Sequence, residues 1–172
     1  MNPSRFALRL NVGYITNLPV GSSREFLFDF PQLHLQPDLD LKDLSGKTRI
    51  TRTPQGLLVE TKMCANYPAE CGRCLNEFEQ QLNIDFTELY AFSGPTLSET
   101  DLKLPEDGKI DLAPLVREYM LLDIPINPVC TPECKGFCSF CGERLTEYAH
   151  SHDEVVIDPR LAVLKELLEE DT

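Results

Sequence analysis

Phe78-Glu79-Gln80-Gln81-Leu82-Asn83-Ile84-Asp85-Phe86-Thr87-Glu88-Leu89-Tyr90-Ala91-Phe92 is the stretch on which the fold turns. Phe78, Leu82, Ile84, Phe86, Leu89 and Phe92 are set apart by Glu79, Asn83, Asp85, Thr87 and Glu88. Side chains of a strand point to opposite faces in turn, so this pattern predicts a strand with one buried and one wet face. Upstream, Gly56–Lys62 follows the turn signal Pro54-Gln55-Gly56, and Arg24–Asp29 and Lys47–Thr53 mix β-formers with polar residues. Together these runs predict a hairpin. Asp38–Leu44 (Asp-Leu-Asp-Leu-Lys-Asp-Leu) also alternates, but its acids suit an exposed edge or a loop equally well. Residues 1–92 are therefore expected to form a mostly antiparallel β-sheet or small open barrel.

Downstream, Ser93–Gly108 reads as a polar connection punctuated by Gly94-Pro95, Pro105 and Gly108. A helix is expected over 111–122. Asp111 serves as N-cap, Pro114 falls in the first turn where a missing N–H costs little, and Leu112, Leu115, Val116, Tyr119 and Leu122 share a face. Pro125 ends it. Residues 127–153 are rich in cysteine and poor in periodicity. A second helix is expected over 158–169, with Asp158 as N-cap, Pro159 at the first helical position and Leu161, Leu164 and Leu168 in one stripe. The fold class is α+β, in a single domain of 172 residues.

Apolar residues make up 42% and charged residues 26%, a mix suited to a globular protein and too apolar for a disordered one. No run approaches the ~18–20 apolar residues of a membrane-spanning helix. The Met1–Arg9 stretch has no signal-peptide pattern, so a cytoplasmic location is expected. Sixteen Lys and Arg face 28 Asp and Glu, for a formal charge of −12. That balance excludes a broad positive field for nucleic-acid phosphates and disfavours anionic membrane surfaces. A basic protein partner suits it better. A local basic patch for RNA or a partner would have to come from Arg49, Arg52 and Lys62 on the sheet, with Arg73 at the first cysteine pair.

Seven cysteines are the unusual feature, and an odd number without an export signal argues against a disulfide framework. Cys71-Gly72-Arg73-Cys74 is one close pair; Cys130-Thr131-Pro132-Glu133-Cys134 and Cys138-Ser139-Phe140-Cys141-Gly142 follow, and then His150-Ser151-His152. A Cys-x₂-Cys pair turns both sulfurs toward one point, and four thiolate or imidazole ligands make a structural zinc site. Cys71, Cys74, Cys130, Cys134, Cys138, Cys141, His150 and His152 are eight candidates, enough for two closed tetrahedral sites and hence two Zn²⁺ per chain. The nearest-neighbour grouping puts Cys138, Cys141, His150 and His152 in one site and Cys71, Cys74, Cys130 and Cys134 in the other. A rival grouping pairs the two Cys-x₂-Cys turns, as in a zinc ribbon. The bland alternatives are core thiols for the cysteines and solvated loop positions for the histidines. Cys64 has no partner at ligand spacing and reads as a core thiol; His34, between Leu33 and Leu35, reads as structural.

Enzyme templates fail. Gly46-Lys47-Thr48 ends like a phosphate loop, but Leu41 stands where its first glycine belongs. A thioredoxin-like motif would follow a strand and open a helix, whereas strands surround Cys71–Cys74. The eight ligands would fill both metal sites and leave no open position for a catalytic water. The expectation is a protein that is not an enzyme and takes no small-molecule substrate.

Several short stretches occur in a distinctive order: Cys71-Gly72-Arg73-Cys74-Leu75, Ile110-Asp111-Leu112, Ile124-Pro125, Cys130 to Cys134-Lys135-Gly136-Phe137-Cys138, Cys141-Gly142, and Asp158-Pro159-Arg160-Leu161-Ala162-Val163-Leu164. In this order, over roughly residues 10–168, the chain resembles the YceD family, the large ribosomal RNA subunit accumulation proteins of bacteria and plastids. The resemblance implies a part in accumulation or processing of large-subunit (23S) ribosomal RNA and no established catalysis. Implied partners are a ribosome assembly intermediate, a basic ribosomal protein or the large-subunit rRNA itself; the family is often encoded beside a small zinc-binding ribosomal protein. Many relatives carry Cys-x-Cys where this chain has His150-Ser151-His152, an exchange that preserves zinc-binding ability. Direct RNA binding and, further off, thiol redox chemistry are the alternative functions.

Overall fold

The computed structural model describes residues 7–92, 102–138 and 141–145. Its larger sheet is a four-stranded antiparallel meander, β2 (Ser23–Leu35), β3 (Leu39–Arg52), β4 (Gly56–Glu70) and β5 (Glu77–Ala91), in that spatial order. β1 (Arg9–Asn11) and β6 (Lys109–Asp111) make a second, two-stranded sheet. A 3-10 turn at Gly13–Asn17 follows β1, and α1 (Ala113–Asp123) follows β6. The expected mostly antiparallel architecture is present. β2 and β5 are not paired with each other, so the sheet stays open. Among the described residues no helix is long and apolar enough to cross a membrane.

Alternation builds this sheet as the sequence predicts. Cross-strand rungs such as Phe26–Thr48–Thr61–Phe86 and Phe28–Gly46–Met63–Ile84 line the inner face. Rungs such as Glu25–Arg49–Glu60–Thr87 line the outer one. The buried Thr48 and Thr61 satisfy each other at 3.0 Å between hydroxyl oxygens. Gly46 is required where it stands, because a Cβ there would lie 2.6 Å from the Met63 Cα. At the β3–β4 turn, Thr53 N–H donates to the Gly56 carbonyl at 2.8 Å, closing the hairpin that Pro54-Gln55-Gly56 signals.

Asp38–Leu44, which the sequence leaves between edge and loop, is mostly the first half of β3, a central strand. The buried positions there are Leu39, Leu41 and then Leu44, so the inward parity changes within the strand. Asp43 has φ +49° and the β3–β4 register slips between Lys42 and Ser45, which is a β-bulge. In β2 the parity changes alongside, from Phe28 to Leu33 and Leu35, across Pro31.

The core fills the space between the inner face, α1 and the small sheet. Ile15, Leu44, Ile50, Leu82, Val116 and Met120 are all fully buried. The Tyr119 ring stacks on Phe86 with centroids 4.3 Å apart, and its hydroxyl donates to Glu88 Oε1 at 2.7 Å. That bond to a carboxylate holds the Tyr119 hydroxyl above its ordinary pKa. Arg117 reaches Asp38 in the β2–β3 turn at 2.6 Å. On the free edge of β5, the Asn83 N–H donates to Asp123 Oδ2 at 2.8 Å, and Ala91 exchanges bonds with Leu102 and Leu104 at 2.8 and 3.0 Å.

Three expectations need correction or restriction. The helix begins at Ala113 rather than 111, because Asp111 is still paired in β6; its carboxylate accepts the Ala113 N–H at 3.0 Å from outside the helix. One α-helix is present among the described residues, where two were expected; the 158–169 segment lies outside them. Cys64 is not in the core. It lies half-buried on the outer face of β4, between the inward Met63 and Ala65, with its sulfur 3.3 Å from the Ser45 hydroxyl.

Candidate metal centre

The β4–β5 turn is Cys71-Gly72-Arg73-Cys74-Leu75-Asn76, placed by the last strand pair Glu70–Glu77. The Cys71 N–H donates to the Asn76 carbonyl and the Leu75 N–H to the Cys71 carbonyl, both at 2.9 Å. Leu75 takes φ +57° to complete the bend. Both sulfurs of the pair are thereby buried on one side of the turn. The chain after α1 returns to the same place: the Gly72 N–H donates to the Pro128 carbonyl at 2.8 Å, bringing Cys130 and Cys134 alongside.

Four thiols converge. The Cys71 and Cys134 sulfurs are 3.9 Å apart, those of Cys74 and Cys130 are 3.6 Å apart, and all four lie within 4.8 Å of one another. Zinc–sulfur bonds of about 2.3 Å in a tetrahedron require sulfurs about 3.8 Å apart. The spacing fits that ion, and it is far longer than the ~2.05 Å of a disulfide. The sulfurs differ electrostatically. Backbone amides, foremost that of Cys130, point at the Cys71 sulfur and hold its thiol down to about 6, whereas burial pushes the Cys130 thiol up to about 12. Burial also raises Cys134. Four soft donors with no further protein group needed describe a closed site, which could bind metal as a staple.

Two arginines brace the cluster from outside. Arg73 Nη1 donates to the Cys134 carbonyl at 2.9 Å, and Arg144 Nη2 donates to the Cys74 carbonyl at 3.0 Å. Gly136 packs on the Arg73 carbonyl so closely that a Cβ would lie 2.7 Å from it, and its φ is +73°. Sequence reasoning missed Arg144 and Gly136, whose roles depend on contacts across more than sixty positions of chain.

Cys138 and Cys141 form a separate turn just beyond, and His150 and His152 lie outside the described residues. The basic candidates are dispersed. Arg49 and Lys62 share the outer sheet face, where Lys62 pairs with Asp85 at 2.6 Å and Glu25 lies 3.9 Å from Arg49. Arg52 points to the opposite face, with Nε donating to the Thr16 carbonyl at 2.7 Å and its guanidinium over Phe92. Arg73 stands at the cysteine turn. His34 pairs with Asp40 across the β2–β3 hairpin at 2.7 Å, a structural role.

The family model described as large ribosomal RNA subunit accumulation protein YceD matches residues 59–168, a span that contains most of β4, all of β5 and α1, and all four converging cysteines. The chain belongs to the YceD family. An uncharacterized protein of Mycobacterium tuberculosis is 35% identical over 136 residues, covering 76% of this chain and 61% of the relative. The uncharacterized protein YlbN of Bacillus subtilis is 32% identical over 103 residues, covering 59% of this chain and 60% of the relative. A maize protein named large ribosomal RNA subunit accumulation protein YCED homolog 1, chloroplastic, is 41% identical over 39 residues, or 23% of this chain and 13% of the relative. The chain thus spans about three fifths of the mycobacterial and Bacillus relatives' length. No solved structure shows a significant match to this YceD protein.

Proposed function

We propose that this YceD protein is a non-catalytic ribosome biogenesis factor that supports accumulation or processing of large-subunit ribosomal RNA, with zinc sites as its structural staples. The observation that carries the zinc part is the convergence of Cys71, Cys74, Cys130 and Cys134. The rRNA part is supported by family membership. Bound zinc would neutralise and lock thiolates; it would join the tip of the β4–β5 hairpin to the segment after α1. Cys138 and Cys141 would hold a second zinc with His150 and His152, for two ions per chain. The partner is a large-subunit assembly intermediate, met through a basic ribosomal protein or the rRNA. An acidic chain whose outer-face Lys62 is paired with Asp85 favours the protein contact over direct RNA binding.

Cells depleted of the protein should lose mature 23S rRNA, and the wild-type chain should restore it. Unchanged rRNA in depleted cells would refute the biogenesis role. Binding to isolated assembly intermediates should weaken only shallowly with salt; a steep slope would instead mark phosphate contacts and direct RNA binding.

Zinc content gives a further expected result. The purified full-length chain should carry two ions, and His150→Ala with His152→Ala should carry one. Two ions in the double variant would return the histidines to ordinary loop positions.

A further inference from the structure

The chain between α1 and the four-cysteine cluster is pinned at both ends. At one end the Asp123 carboxylate accepts the Asn83 N–H in the middle of β5 at 2.8 Å. At the other the Pro128 carbonyl accepts the Gly72 N–H at 2.8 Å, and the Asn127 side chain fills the place that a Cβ on Gly72 would take. Ile126, in the middle of this held stretch, is fully exposed, and Leu122, four residues before it, is 81% exposed. Leu75, in the turn that Pro128 touches, is 59% exposed. Scattered exposed apolar side chains are ordinary, but several gathered on one held stretch and the turn it meets mark an interaction surface.

Charge decides what covers it. The one cation of α1, Arg117, is paired with Asp38 at 2.6 Å. Glu118 and Asp123 are exposed, and the last turn of α1 holds no basic residue against the negative end of the helix dipole. Beside the turn, Glu70 and Glu77 face each other directly across the last rung of the β4–β5 pair, a placement of like charges that a third, cationic group would relieve. Neither glutamate is in an ion pair among the described residues. A second copy of this chain would bring another charge of −12 to this surface. The chain's own residues 158–172 offer Leu161, Leu164 and Leu168, but carry five acids against two bases. Like charge disfavours both.

We propose that the end of α1, the stretch to Pro128 and the β4–β5 turn form a docking surface for a basic protein segment, the surface through which, on the reading above, a basic ribosomal protein is met. The segment lays apolar side chains on Leu122 and Ile126 and brings Lys or Arg side chains to Asp123 and the Glu70–Glu77 pair. The four-cysteine cluster joins the two halves of this surface, because Cys71 and Cys74 lie in the turn and Cys130 and Cys134 follow Pro128.

The test uses the full chain with a photoreactive benzophenone side chain in place of Ile126, mixed with the proteins of the large ribosomal subunit freed of rRNA. Illumination should join it to a protein segment rich in Lys and Arg with apolar residues among them. The same group in place of Val20, 57% exposed at the opposite end of the sheet, should not capture that segment. Against the captured protein in purified form, Leu122→Asp with Ile126→Asp should weaken binding about tenfold or more. Glu70→Lys with Glu77→Lys should weaken it as well, and Val20→Asp should leave it unchanged. All of these positions are exposed, so the variants should keep the wild-type melting temperature. Capture of a second copy, of the chain's own 158–172 segment or of an acidic protein would overturn the proposal. Equal binding by wild type and both double variants would remove this surface and leave the partner reading standing. If no large-subunit protein binds the wild-type chain, the partner reading itself falls.

Discussion

Cys71→Ser should lower the melting temperature by about 10 °C or more, whereas Cys64→Ser should shift it by only about 2–4 °C. Both are single sulfur-to-oxygen exchanges, so the contrast isolates position. Cys71 lies among three other thiols with their sulfurs within 4.8 Å, and removing one of four soft donors forfeits most of a tetrahedral site. In small zinc peptides the binding free energy, on the order of 10 kcal/mol, is also folding free energy. Here the loss begins at the hairpin tip and at the segment after α1 that the cluster ties to it, and the cooperative melting of the fold follows. Cys64 is half-buried on the outer face, and serine there can still bond the Ser45 hydroxyl and carbonyl. Thermal denaturation with parallel zinc analysis checks the pair. Equal shifts would contradict the division between ligand and bystander.

Ile50→Ala should cost about 2–5 kcal/mol, and Leu27→Ala less than about 0.5 kcal/mol. Ile50 is fully buried on the inner face of a central strand, between Arg24 and Val59, and its truncation leaves a cavity that the sheet cannot collapse into. Leu27 is 79% exposed on the outer face of β2, one strand away. Urea unfolding of the two variants measures the difference directly. Similar midpoints for both would mean that the outer face, too, is covered in the folded protein.

Much of the sheet was legible because its strands obey one period for many residues; Phe78–Phe92 is read almost to the ends of β5. Where the period breaks, reading fails. Asp43 at φ +49° flips the inward parity of β3, so one fourteen-residue strand looks like two unrelated fragments, Asp38–Leu44 and Lys47–Thr53. Pro31 conceals the length of β2 in the same way. Cys64 reads as a core thiol from its type alone, but strand parity decides otherwise: its neighbours Met63 and Ala65 point inward, which sends it out. At the four-cysteine cluster the residue types and the short spacings are legible, since a Cys-x₂-Cys turn is a local device. The nearest-neighbour grouping places Cys71, Cys74, Cys130 and Cys134 together, and the structure brings those sulfurs together. The supporting contacts were not legible. Arg144 reaches the Cys74 carbonyl across seventy positions, and no local pattern encodes that. The basic patch failed to appear as one surface because Arg49 and Arg52, three residues apart on a strand, must face opposite ways.

The outward amides of β5 have a consequence for the chain in a crowded solution. An open sheet invites a second molecule to add a strand to its border, the first step toward fibrous assembly. On β5 the Asn83 amide is already occupied by Asp123 at the end of α1, and Ala91 is already matched with Leu102 and Leu104. On β2 the border carries Pro31, which has no amide hydrogen to offer. Each border is thus interrupted at a described position, which shortens the run of donors and acceptors open to an incoming strand. An open meander whose borders resist pairing with its own copies can present its outer face to a different molecule with less tendency to polymerise.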